Sequence, residues 1–191
     1  MFGCNNTNGG PQNSVKVYIN ETTPGDMTIS GNIYGGGNVA YCESTCEVYI
    51  QNGTINNKVF GGGNNISTAN KGVGGTYVSM TDGTVLGAIY GGCNEDGDVT
   101  GNSVVTITGG TIGAEGTPTN IHGGGFGNLT TVGGDVTVNF GDDTDIENMY
   151  PVLYGELYGG SAFGNVNTGY IFSILESSPK LTVTSPATKV F

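Results

Sequence analysis

Four carboxylates fall within six residues of this chain: Asp142, Asp143, Asp145 and Glu147. Residues of this type at this spacing have two chemical uses. A pair can divide acid and base work at a glycosidic bond, one protonating the leaving oxygen while the other activates water. A set can hold calcium, a hard ion that takes roughly six to eight oxygen ligands. The spacing matches neither an EF-hand loop nor a nonapeptide calcium repeat, so a calcium site here rests on residue type alone, against solvated loop acid as the plain alternative. Glu95, Asp96 and Asp98 form a second, smaller cluster.

His122 is the one histidine in the chain, and a lone imidazole draws attention as a general base. Yet it stands where Phe2, Tyr34, Phe60, Tyr90 and Tyr158 stand in copies of a single motif, and is expected to act as one more stacked aromatic. Cys42 and Cys46 are expected to share a loop, where export would let them close a small disulfide; otherwise they stay free thiols. A zinc site would need a second pair of ligands nearby, and Cys4 and Cys93 belong to distant copies of the motif.

The elements that must position these groups are repeats. Val59-Phe60-Gly61-Gly62-Gly63-Asn64 returns as Ile33-Tyr34-Gly35-Gly36-Gly37-Asn38, Ile89-Tyr90-Gly91-Gly92-Cys93-Asn94 and Ile121-His122-Gly123-Gly124-Gly125. Looser copies are Phe2-Gly3-Cys4-Asn5-Asn6 and Leu157-Tyr158-Gly159-Gly160-Ser161, and the aromatic position recurs every 26 to 36 residues. Between copies lie alternating apolar and polar runs such as Val15-Lys16-Val17-Tyr18-Ile19 and Val105-Thr106-Ile107, the pattern of a half-buried strand. Three such runs lead into Asn52-Gly53-Thr54-Ile55, Asp82-Gly83-Thr84-Val85 and Gly109-Gly110-Thr111-Ile112, whose first two residues favour a turn and whose last two favour a strand.

Each unit of about 30 residues thus reads strand, Gly-Thr corner, short strand ending in an aromatic, Gly-rich corner, variable loop. Propeller blades need four antiparallel strands in roughly 40–50 residues and often carry Trp, which this chain lacks. With 37 glycines in 191 residues, the stock of core side chains is lean. A solenoid suits such a chain, because each coil needs only a thin inward stripe and relies on its neighbours for burial. The expectation is a single right-handed parallel β-helix of five to six coils over residues 1–165, the hand following the usual crossover preference. Residues 166–191 are a terminal coil or closing strands.

Stacked coils place like residues above like. Val17, Val48, Val78, Val105 and Val136 should form one interior ladder, and Ile19, Ile50, Met80, Ile107 and Val138 the next. Thr54, Thr84 and Thr111 should align at one corner, and Asn6, Asn38, Asn64 and Asn94 at another. Tyr18, Tyr49, Ser79, Thr106 and Thr137 should face outward, with Tyr18 and Tyr49 offering a flat surface for a sugar ring or a protein partner. Residues 65–75 and 113–120 should be loops at one variable corner.

Charge narrows the partners. Sixteen acidic residues against five lysines and no arginine give a formal charge of −11, which repels nucleic acid and anionic lipid. No apolar run approaches the roughly 18 residues of a membrane span. The chain opens inside a repeat, at Met1-Phe2-Gly3, and is expected to be part of a longer protein.

The series V-x-I, G-G-T-I and V-F-G-G-G-N with a length-variable loop resembles the glycine-rich β-helix repeats of large adhesin-like surface and secreted proteins of Bacteroidetes-type gut bacteria. That resemblance implies the β-helix fold and an extracellular or cell-surface location, and brings no catalytic residues. The function it implies is a non-catalytic structural or adhesive module that binds glycan or a host-surface protein, with no cofactor other than calcium at the acidic cluster. The alternative is a carbohydrate-active hydrolase or lyase. Gly141-Asp142-Asp143 is similar to the acid pair of polygalacturonase-like β-helix hydrolases, but that family also carries a histidine after the pair and an Arg or Lys clamp. Here His122 precedes the pair and arginine is absent. Five scattered lysines likewise give little of the base that β-helix lyases use.

Overall fold

A computed structural model describes residues 1–21, 23, 25, 27–66, 72–142 and 150–175. The chain is a β-solenoid of about five turns, roughly 31 residues each, and its described residues contain strands but no helix. Every strand pairing is parallel and joins successive turns, as equivalent segments of a coil must.

Each turn visits four faces. The long face holds β1 (Val15–Ile19), β4 (Cys42–Ile50), β7 (Val73–Met80), β11 (Ser103–Ile107), β15 (Val136–Gly141) and β19 (Tyr170–Leu175). The second holds β2 (Thr28–Ile29), β5 (Thr54–Ile55), β8 (Thr84–Val85), β12 (Thr111–Ile112) and β16 (Val152–Leu153). The third holds β3 (Ile33–Tyr34), β6 (Val59–Phe60), β9 (Ile89–Tyr90), β13 (Ile121–His122) and β17 (Leu157–Tyr158). The fourth holds β10 (Asp96–Val99), β14 (Leu129–Val132) and β18 (Asn165–Val166), and is joined by the first residues of β7 and β4.

The structure departs from the sequence pattern in two respects. Thr-Ile and the following apolar-aromatic pair were expected within one short strand, yet they form separate two-residue strands on adjacent faces. The fourth face was expected to be loop. Its signal is a valine just ahead of a corner: Val73, Val99, Val132 and Val166 share one column through successive pairings. These strands read as loop because they are short and β10 and β18 otherwise hold Gly, Asp and Asn, which local propensity assigns to turns.

The corner between the long and second faces follows turn chemistry. Gly53, Gly83 and Gly110 take φ of 91°, 95° and 86°, a region in which a Cβ is strained. Asn52 and Asp82 accept hydrogen bonds from the Gly53 and Gly83 amides at 2.8 and 2.7 Å. Thr28, Thr54, Thr84 and Thr111 then stand in register on the second face, with Thr28 joining the expected column.

One continuous apolar interior runs up the axis. Val48, Ile50, Val78, Met80, Val105 and Ile107 enter it from the long face; Ile55, Val85 and Ile112 from the second; Ile33, Val59, Ile89 and Ile121 from the third. Burying a side chain of this size contributes about 1.5–3 kcal/mol, and only the adjoining turns make that burial possible.

The interior is thin, and this accounts for the glycine motif. A Cβ on Gly91 would lie 2.1 Å from the Gly123 carbonyl oxygen and 2.3 Å from the Ser103 hydroxyl on the opposite wall. The wall opposite the glycines is the column Val15, Cys46, Thr76, Ser103 and Val136. Ser103 reaches across to the Gly123 carbonyl at 2.6 Å.

The interior register corrects one further expectation. Val105 pairs with Val138 and Ile107 with Phe140, so Val136 belongs two residues earlier, beside Ser103. Val136-Thr137-Val138-Asn139-Phe140 offers three inward residues, and a shift of two preserves which side chains face inward. The outward neighbour of Thr106 is therefore Asn139, and Thr137 lies beside Val104. Of the two expected loops, 113–120 separates the second face from the third, while in 65–75 residues 73–75 belong to β7 and 67–71 lie outside the described residues.

Candidate functional site

The aromatic position of the repeat becomes one ladder. Phe2, Tyr34, Phe60, Tyr90, His122 and Tyr158 stack in sequence with ring centroids 4.6, 5.1, 5.0, 5.0 and 4.7 Å apart and planes within 9° of parallel. Parallel strands in register set like side chains about 4.8 Å apart, a separation that suits stacked rings. Tyr34, Phe60 and Tyr90 form a second buried cluster outside the main interior, with Phe126 packed against it. Phe126 was not singled out by the sequence reading. It meets Tyr90 edge-on at 5.3 Å and carries the Lys58 ammonium 4.0 Å above its ring.

His122 takes its place in this ladder as expected. It is 7% exposed, and burial pulls its pKa down to about 4 against the milder opposing pull of Glu156. The imidazole is therefore neutral at pH 7, and its Nδ1 has no hydrogen-bond partner among the described residues. At the adjacent corner the expected amide column is present. Asn38 donates to Asn6, Asn64 to Asn38 and Asn94 to Asn64, at 2.9, 2.8 and 2.7 Å. Asn94 also reaches the Tyr34 hydroxyl at 3.3 Å, tying the amide column to the ring ladder.

Cys42 and Cys46 lie in strand β4 rather than a loop. They flank the corner that joins the fourth face to the long one, and both side chains are fully buried free thiols. A hydrogen bond between the two thiols lowers the Cys42 pKa to about 7 and raises that of Cys46. The Cys42 thiol also lies 3.4 Å from the Ser44 carbonyl. Cys93 is buried at a glycine corner, and burial lifts its pKa to about 12.

Of the first acidic cluster, Asp142 follows β15 and is partly exposed, while Asp143, Asp145 and Glu147 lie outside the described residues. In the second cluster Asp96 and Asp98 alternate along β10 with inward Gly97 and Val99, so both carboxylates are on its outer side. Glu95 accepts from the Asn65 amide at 3.3 Å. Among the described residues, no three His, Cys, Asp or Glu side chains converge as a metal would require.

The outer side of the long face begins with aromatics. Tyr18 and Tyr49 stack at 4.9 Å and 11°, and Tyr77 tilts by 56° against Tyr49 at 5.7 Å. Stacking along the axis turns these rings toward one another, so the face presents ring edges and hydroxyls rather than a broad aromatic floor. Tyr18 lies on the first strand of the sheet and is 57% exposed, with one ring face turned away from Tyr49. Beside it Lys16 pairs with Glu47 at 3.2 Å. Glu47 also holds the Tyr49 hydroxyl, and this bond raises the Tyr49 pKa to about 12. Further along, the outward column continues through Ser79, Thr106, Asn139 and Ser173.

A shallow cleft at the 113–120 loop is lined by Ala114, Glu115, Gly116, Pro118, Tyr154 and Gly155. Comparison with family models, curated proteins and solved structures finds no match to this chain.

Proposed function

We propose that this solenoid is a non-catalytic structural and adhesive module of an exported bacterial protein of the glycine-rich β-helix kind, acting at the cell surface or outside it. The observation behind this reading is how its reactive side chains are used. The imidazole, the amides and most of the aromatic rings bond rung to rung along the axis, as a rigid stalk requires. A neutral glycan is the first partner to test. The open ring face of Tyr18 offers a stacking plane, the Lys16–Glu47 pair and the Tyr49 hydroxyl offer polar contacts, and Lys16 balances the charge of Glu47. A host-surface protein is the other partner class, and calcium at the Asp142, Asp143, Asp145 and Glu147 stretch is the one ion included in the reading.

The test is a glycan-array screen of the purified chain with and without calcium, followed by sugar-release assays on any glycan retained. Retention without product, abolished by Tyr18→Ala, supports the adhesive reading. Calcium-dependent retention extends it to the acidic stretch. Released oligosaccharide that disappears on alanine replacement of Asp142 and Asp143 would replace this reading with an enzyme. The exported protein should also convert Cys42 and Cys46 to a disulfide, which a thiol count before and after reduction checks.

A further inference from the structure

We propose that the His122 rung is an acid-sensitive joint, at which the last described turn of the solenoid opens while the turns before it stay closed. In the ladder, His122 lies between Tyr90 and Tyr158, and it is the one member whose charge can change between pH 4 and 7. From β9 it faces the phenol of Tyr90, from β17 the phenol of Tyr158, and just ahead of β17 the carboxylate of Glu156. Phe126, the remaining ring beside Tyr90, carries no charge. Glu156 attracts an imidazolium, but its effect is smaller than that of burial.

The imidazole is 7% exposed with an unpartnered Nδ1, so the closed stack has no place for the added proton. Separating Tyr158 from it would open the ring face that Tyr158 covers, and water could then solvate the imidazolium. The Tyr158 side of the rung is the one to part, because Tyr158 is 40% exposed whereas Tyr90, on the other side of His122, is 5% exposed. In a solenoid each turn is stabilised by its neighbours, so one turn can part from the next at a weakened rung while the other turns stay closed.

The sign follows from linkage. The closed state holds His122 near a pKa of about 4, below the ordinary value of about 6.5, so closure is fully favoured above pH 6.5 and weakens as pH falls toward 4. Between pH 8 and pH 5 the open population should rise about 30-fold.

Amide hydrogen exchange on the intact chain, corrected for intrinsic rates, reads this directly. The Ile121 and Gly123 amides donate to the Glu156 and Tyr158 carbonyls of the last turn, whereas the Gly35 and Gly61 amides donate to Phe60 and Tyr90 within the body. Ile121 and Gly123 should lose about 30-fold protection between pH 8 and pH 5, with Gly35 and Gly61 changing little. His122→Phe and His122→Tyr should abolish the difference. Unchanged protection at Ile121, an equal loss at Gly61, or a loss that persists in either variant would overturn the proposal. Should neither variant fold, NMR titration of the native chain decides, since it has a single histidine. Protection at Ile121 and Gly123 that falls in step with that titration supports the joint, and protection that stays flat through it refutes it.

Discussion

The third face and the long face stack side chains at the same axial spacing, yet their outer columns differ. On the third face every rung from Phe2 to Tyr158 carries a ring, and the members from Tyr34 to His122 are at most 7% exposed. On the long face the outer column passes from Tyr18 and Tyr49 through Ser79, Thr106 and Asn139, and it stays open along its length. Axial stacking alone therefore does not impose a residue type. On the third face type is held, and there the column is also covered from the side, by Phe126 and the Asn64–Asn94 corner. Where solvent is the lateral neighbour, any residue suited to a sheet surface serves.

Substitutions can break this contrast, and the largest effects should lie on the covered side. Phe60→Ala removes a fully buried ring between two stacking partners and should cost about 3–5 kcal/mol in denaturant unfolding. Tyr18→Ala on the open face should cost under about 1 kcal/mol. Gly91→Ala drives a methyl to 2.1 Å from a carbonyl and should cost about 3 kcal/mol or prevent folding, whereas Gly31→Ala meets nothing within 4 Å and should be neutral or slightly stabilising. If the two alanines behaved alike, the thin interior would be wrong.

Asn64→Ala cuts the amide column on both sides, leaving the Asn38 oxygen and the Asn94 amide short of a partner, and should cost about 1–3 kcal/mol. Thr106→Ala, outward on the long face, should change stability by less than about 0.5 kcal/mol. Thermal or urea unfolding of Phe60→Ala, Gly91→Ala, Asn64→Ala and Thr106→Ala places them in that order of falling cost. A Thr106 effect equal to that of Asn64 would erase the distinction between covered and open columns.

The same contrast explains what the sequence disclosed. The ring and amide columns repeat their residue types, so the aromatic ladder with His122 in it and the amide column could be read from spacing alone, whereas the buried column Cys46, Thr76, Ser103 and Val136 changes type from rung to rung. The fourth face escaped because Asp96-Gly97-Asp98-Val99 and Leu129-Thr130-Thr131-Val132 share one inward valine and little else. The slip of Val136 by one rung arose because a two-residue shift leaves the inward and outward pattern intact. Candidate sites were the least legible. Cys42 and Cys46 are four residues apart in a polar stretch, and nothing local says that both turn inward across a corner. Tyr18 and Tyr49 were evident as neighbours, but whether rings lie flat on a face or edge-on to it depends on side-chain torsions that spacing does not encode.

Parallel turns in axial register are the central claim, and cysteine cross-linking between β11 and β15 tests it most directly. In register, Thr106 and Asn139 face outward on adjacent strands with Cα atoms about 5 Å apart, within reach of a disulfide. The pair Thr106 and Thr137 is offset by two residues and stands about 8 Å apart, beyond that reach. Under mild oxidation, with bonds mapped by peptide mass, the Thr106→Cys/Asn139→Cys chain should cross-link and the Thr106→Cys/Thr137→Cys chain should not. The reverse pattern would place Val136 opposite Val105 and contradict the axial register of the long face.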